Sequence, residues 1–127
     1  MYSTENIATI FDFRNQIPTN YDYEGKRPND ELILEALDLV RKFTKCSAPE
    51  IVLGLEGLET VIRFTWYIGD FGFIQYTLSE DNLKLYVIDD NSKVLVNNVE
   101  LDHNDYESVD FITKHYIKEI NKSLTSN

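Results

Sequence analysis

The sequence predicts an α+β fold: two N-terminal helices, an antiparallel meander of four to five strands and a C-terminal helix, with the helices packed on one sheet face. Three observations predict it. Apolar residues recur at helical spacing from Asp30 to about Lys45 and again from Asp105 to Ser123. Between Glu50 and Leu101 they recur instead at every second position. The connections between those alternating runs are short, which makes consecutive strands antiparallel neighbours. A length of 127 residues suits a single domain, 1–127, because two separate cores in so short a chain would each bury too little surface.

Each element has its own signals. Ser3 to about Gln16 reads as a short helix, with Ser3 as N-cap, Glu5 in the first turn and Ile7, Ile10 and Phe11 facing inward. Pro18 stops it, and the stretch to Pro28 reads as loop, since two prolines, Asn20 and Gly25 interrupt any regular pattern. Asn29 caps the next helix, Asp30 to about Lys45, with Asp30 and Glu31 in its first turn and Arg41, Lys42 and Lys45 in its last. Its stripe (Leu32, Ile33, Ala36, Leu37, Leu39, Val40, Phe43) is broad enough to be well buried, while Leu34 falls outside it.

The strands begin with Ile51 and Leu53, which lead to a turn at Gly54–Gly57. In Thr60–Tyr67, Ile62, Phe64 and Trp66 share one face, and Val61, Arg63, Thr65 and Tyr67 the other. A glycine-containing connection, Ile68–Gly72, leads to Phe73–Leu78. Leu83, Leu85 and Val87 then alternate with Lys84, Tyr86 and Ile88. Lys93–Val96 and Val99–Leu101 follow the turn Asp90-Asn91-Ser92, separated by Asn97-Asn98. The final helix opens with Asn104 as N-cap and Glu107 at the third position, a capping-box arrangement. Tyr106, Val109, Ile112, Tyr116 and Ile120 form its apolar face.

Composition narrows the function. No run approaches the roughly 18 apolar residues of a membrane span, and the N-terminal stretch lacks the basic start of a secretory signal. Cys46 is the only cysteine, so the chain has no internal disulfide and no cysteine zinc cage, and a cytoplasmic location is expected. The net charge is −10, and from Tyr67 to Thr113 ten acids face only Lys84 and Lys93. That excess disfavours direct contact with nucleic acid or an anionic membrane and favours a basic protein partner, such as a nuclease, a toxin or a nucleic-acid-binding protein.

Chemical motifs are scarce. His103 lies among Asp102, Asn104, Asp105 and Glu107, but consecutive residues on a turn do not converge on one point. The calcium-loop pattern also fails, with Glu107 and Thr113 at its glycine and glutamate positions. His115 and Glu119 stand one helical turn apart and could supply two metal ligands, one fewer than a hydrolytic zinc site needs. Cys46 follows a helix C-terminus, where the dipole disfavours a thiolate. No nucleophile elbow, phosphate-cradling glycine run or dinucleotide fingerprint occurs. No catalytic residue, metal or cofactor is therefore expected.

Trp66, Tyr67, Phe71, Phe73 and Tyr76 crowd one hairpin on both faces of its strands, so some of these rings must lie away from the helices. Aromatic anchors beside carboxylates suit a protein-binding surface, and Tyr67, Asp70, Phe71, Phe73, Asp81, Asp89 and Asp90 are its expected members. The loop Tyr21-Asp22-Tyr23-Glu24, alternating ring and acid, is a second place where a partner could touch.

The succession of helix, Pro49, Ile51, Leu53, Gly57, Trp66 and Gly69, spanning about residues 30 to 90, resembles a large set of uncharacterised small acidic proteins of bacterial and phage genomes. The resemblance implies an accessory protein of a mobile element or of a toxin–antidote pair, and assigns no site residues. The expected function is thus an acidic binding module of inhibitor, immunity or antitoxin type that occludes a basic partner. Alternatives are a phage anti-defence protein mimicking nucleic acid, a small homodimer, or a hydrolase using His103 or His115.

Overall fold

The structure, a computed structural model, describes residues 4–20 and 23–125, and at His103, Asn104 and Thr125 the backbone only. The expected Ser3 cap lies outside these residues. Helix α1 spans Thr4–Asp12 and tightens into a 3₁₀ turn, Phe13–Asn15. The tighter winding decides which ring enters the core. Phe13 is buried beside Ile10, while Phe11 stays 40% exposed, stacked under the Arg14 guanidinium at 5.2 Å.

Helix α2 spans Asp30–Val40. Its cap is the expected one: Leu32 N–H donates to Asn29 Oδ1 at 2.8 Å, and Asn29 Nδ2 donates to the carboxylate of Glu80, far along the chain. Asn29→Ala removes both bonds and should cost about 1 kcal/mol, read as a shift of the urea midpoint. The helix ends at Val40, short of Lys45, because the chain turns at Arg41–Lys42 and drops Phe43 into the core from a non-helical backbone. Lys42 leaves the helix end for Glu107, 2.7 Å away, and Asp38, 3.6 Å away. Every residue of the expected stripe is buried, and Leu34 is 63% exposed.

Five strands follow: β1 Glu50–Glu56, β2 Glu59–Ile68, β3 Gly72–Leu78, β4 Leu83–Ile88 and β5 Val94–Leu101. They lie in the order β1-β2-β3-β4-β5, all antiparallel. The two largest departures from the sequence expectation are in β1 and β5. β1 passes straight through Gly54 and turns only at Gly57-Leu58, because Gly54 leaves the space taken by the Arg63 side chain. Asn97-Asn98 does not end a strand; it sits at a register shift inside β5, with Asn98 at φ 51°.

A 3₁₀ segment, His103–Ser108, leads into helix α3, Val109–Thr125. The expected capping box is not how this helix begins, since Glu107 pairs with Lys42 and Asp105 instead accepts from the Asp102 N–H at 3.3 Å; the Asn104 side chain lies outside the described residues. Ile51, Ile62, Phe64, Trp66, Ile74, Tyr76, Leu78, Leu83, Leu85 and Val87 form the sheet's contribution to the core, covered by the three helices. Phe43 is its centre, with ring centroids at 4.7 Å from Trp66, 5.5 Å from Tyr76 and 6.4 Å from Phe64. The polar tips of these rings are satisfied. Trp66 Nε1 donates to Ser47 O at 2.8 Å, and the Tyr76 hydroxyl meets Thr113 Oγ1 at 2.8 Å and Val109 O at 3.2 Å on α3.

Candidate functional site

Because side chains alternate along a strand, the sheet that gives one face to the helices must present a second. That second face has Tyr67, Phe73, Ile88 and Val94 aligned in one cross-strand row, and Thr65, Gln75 and Tyr86 in the next. Three rings form a continuous strip diagonally across it: Tyr67 to Phe73 at 6.4 Å and Phe73 to Tyr86 at 5.6 Å between centroids. Tyr67 and Phe71 are each 66% exposed, and Phe73, Tyr86 and Ile88 are half-buried. Apolar area of this kind is left to water only at a free energy cost, which is why a contiguous strip points to a contact surface.

Polar pairs occupy the rest of this face. Gln75 Nε2 donates to Thr65 Oγ1 at 3.1 Å. Arg63 lies back over Gly54 and donates to Leu55 O at 3.0 Å. Lys84 on β4 reaches Glu56 on β1 at 3.3 Å, crossing the two intervening strands. Val61, which the alternation assigns to this face, is 1% exposed, and Thr65 and Thr77 of the same face are also buried. Arg63 and Lys84 set against Glu50, Glu56, Glu59 and Glu100 leave the face mildly acidic, with the aromatic strip as its apolar feature.

Of the seven residues expected to form the contact, Tyr67 and Phe73 come together at the β2–β3 end of this face, with exposed Asp70 and Phe71 in the turn that joins the two strands. The aspartates divide. Asp90 Oδ1 accepts the Asp70 and Phe71 N–H groups, both at 2.9 Å, and its own N–H donates to Ser123 Oγ on α3 at 3.3 Å. It therefore shapes the turn that presents Phe71. Asp89 is 7% exposed; its Oδ1 accepts from Asn91 and Lys93 N–H at 2.9 Å, so this carboxylate closes the β4–β5 turn. Asp81 lies in the β3–β4 turn, at the opposite end of β3, roughly 20 Å away at about 3.3 Å per residue. Tyr86, which completes the strip, was not among the seven. Its alternation showed the face, and only the cross-strand register shows its neighbour.

The acids from Tyr67 to Thr113 do not make one patch. They are divided between the two ends of the sheet, Glu100 on β5 and the Asp102–Asp110 lead-in to α3. Negative charge is a property of the whole molecule here, and the strip is local. Tyr21 and Asp22 of the alternating loop lie outside the described residues; Asn20 N–H donates to Tyr23 O at 2.9 Å, and Glu24 forms an antiparallel bridge with Thr19.

The remaining reactive groups are placed as follows. Burial pushes the Cys46 thiol up to about 12 from 9.0, with Asp110 adding to the effect, and its Sγ lies 3.6 Å from Asp110 O. At neutral pH it is a protonated thiol. In the unfolded chain it ionises near its ordinary value, so between these two values the fold holds the extra proton. Stability from this group is complete below pH 9 and falls as pH rises through the window. The urea midpoint should drop as pH rises from about 9 towards about 12, and less steeply in Cys46→Ala, with Tyr76, also raised by burial, retaining its own share of the decline.

The His115 ring stands edge-on to Tyr116 at 4.9 Å. Glu119 is held by Lys122 at 3.0 Å, and that hydrogen bond lowers its pKa. The His103 side chain is outside the described residues, among which no three His, Cys, Asp or Glu side chains are grouped to hold a metal ion.

No described helix is long and apolar enough to cross a membrane. Comparison with protein-family models, with curated proteins and with solved structures finds no match to this chain.

Proposed function

We propose that this chain is a protein-binding module of inhibitor, immunity or antitoxin type, which meets a basic partner in the cytoplasm and occludes it with the uncovered face of its sheet. One observation carries the reading: the Tyr67–Phe73–Tyr86 strip, continued by Ile88 and Val94, lies on the sheet face away from the helices, with exposed Asp70 and Phe71 in the adjoining turn and Glu50 and Glu100 on the outer strands. Rings of this type supply rigid anchoring area at the centre of an interface. A net charge of −10 supplies long-range attraction to a positive surface and raises the encounter rate.

The test compares the wild-type protein with a Tyr67→Ser, Phe73→Ser variant, each immobilised and exposed to an extract of its native cells at low and high salt. The wild type is expected to retain one basic protein at low salt and lose it at high salt. In the variant the affinity should fall about thirtyfold or more, the weight of a roughly 2 kcal/mol anchor. Retention unchanged by the variant would remove this face from the function. Light scattering of the purified protein distinguishes the competing occupant, a second copy: a dimer that the variant abolishes would replace the foreign partner with self-association.

A further inference from the structure

Away from the sheet face, a cavity of about 590 Å³ opens between the segment after α2 and the outer side of α3, lined by Lys45, Cys46, Ser47, Phe111, Lys114, His115, Ile117 and Lys118. Its charge is opposite to that of the molecule. Phe111, Lys114, His115 and Lys118 recur at helical spacing and form one ridge of α3, and Lys45 faces them from the other bank. Lys114 and Lys118 are one turn apart and repel each other. Among the described residues, ion pairs within 4 Å engage Lys42, Lys84 and Lys122; Lys45, Lys114 and Lys118 are among the nine other bases outside such pairs, and these three gather at one cavity.

The acids on the same segments offset this charge only in part. Asp110 Oδ1 accepts the Lys45 backbone N–H at 3.1 Å and keeps its own charge at one end of the groove, and Glu119 is held by Lys122, so three lysines outweigh one carboxylate there. Phe111, 77% exposed, and Ile117 with Cys46 beneath give the cavity apolar walls, and its volume falls in the range of small-molecule sites.

We propose that this cavity binds a small aromatic anion, a flat apolar body with a phosphate or carboxylate head. The head would lie among Lys45, Lys114 and Lys118, relieving their repulsion, and the ring against Phe111 and Ile117. The rest of the surface, carrying the acid excess, repels such a ligand, so binding is confined to this groove.

Phenyl phosphate is the probe, followed by amide chemical shifts in the full chain, with phenol testing the body alone and inorganic phosphate the head alone. Saturable shifts are expected at Lys45–Ser47 and Phe111–Lys118, with phenyl phosphate binding more tightly than either half. Lys114→Gln with Lys118→Gln should weaken it by about tenfold or more. Phe111→Ala should erase the preference for phenyl phosphate over inorganic phosphate, and Lys93→Gln, at a distant turn, should change nothing. All these positions are exposed, and an unchanged amide spectrum elsewhere certifies the fold of each variant. Absence of saturable shifts in the wild type, equal affinity for phenol, or undiminished binding by the double lysine variant overturns the proposal.

Discussion

Phe43→Ala is expected to cost about 3–5 kcal/mol, measured by urea unfolding. The ring is fully buried and contacts three other aromatic rings, Phe64, Trp66 and Tyr76. Its removal leaves a void that cannot collapse easily. Trp66 is fixed by its bond to Ser47 O, and Tyr76 by its bonds to Val109 O and Thr113. A loss of this size is a large part of the roughly 5–15 kcal/mol that stabilises an ordinary domain. Phe43→Leu, which keeps most of the apolar volume, should recover more than half of it. If Phe43→Ala unfolds at the wild-type urea midpoint, Phe43 is not the centre of the core.

Gly72→Ala should be the next most damaging, at about 1–3 kcal/mol. Gly72 closes the β2–β3 hairpin opposite Ile68 and lies under α3. A Cβ there would stand 2.7 Å from both the Ile68 carbonyl oxygen and the Ile120 methyl. The methyl can move; the carbonyl belongs to the sheet. The substitution should therefore lift α3 off the hairpin, and tryptophan and amide spectra should register it at residues 68–72 and 117–124. Gly57→Ala is the control. Its φ of +62° imposes a left-handed cost of about 1 kcal/mol, but no atom lies within 4 Å of the added methyl, so the loss should stay local to the β1–β2 turn.

Periodicity made the strands and the stripe of α2 legible, since which face a residue takes follows from spacing alone. It could not place the end of α2. Helical spacing includes Phe43, and the aromatic pocket formed by Phe64, Trp66 and Tyr76, which the chain reaches by leaving the helix at Val40, exists only after folding. The Thr113–Tyr76 hydroxyl pair was missed for the same reason: a threonine inside a helix looks like a surface residue until a tyrosine 37 positions away meets it. At the candidate site the rings could be read and the aspartates could not. Asp89 and Asp90 look like any exposed acid in a turn, and their bonds to backbone amides show that they shape loops. The lysine groove was invisible because Lys45 and Lys114 lie far apart in the chain and are joined by the docking of α3.

The strand order also bears on how the molecule assembles. Each ribbon of the sheet lies beside the one made just before it, so pairing advances by small closures and the entropy of bringing distant segments together is deferred to the arrival of the last helix. A growing polypeptide could thus build the aromatic strip before residues 109–125 had been added. The surface we assign to a partner would then be in place while the helix that locks it was still to come.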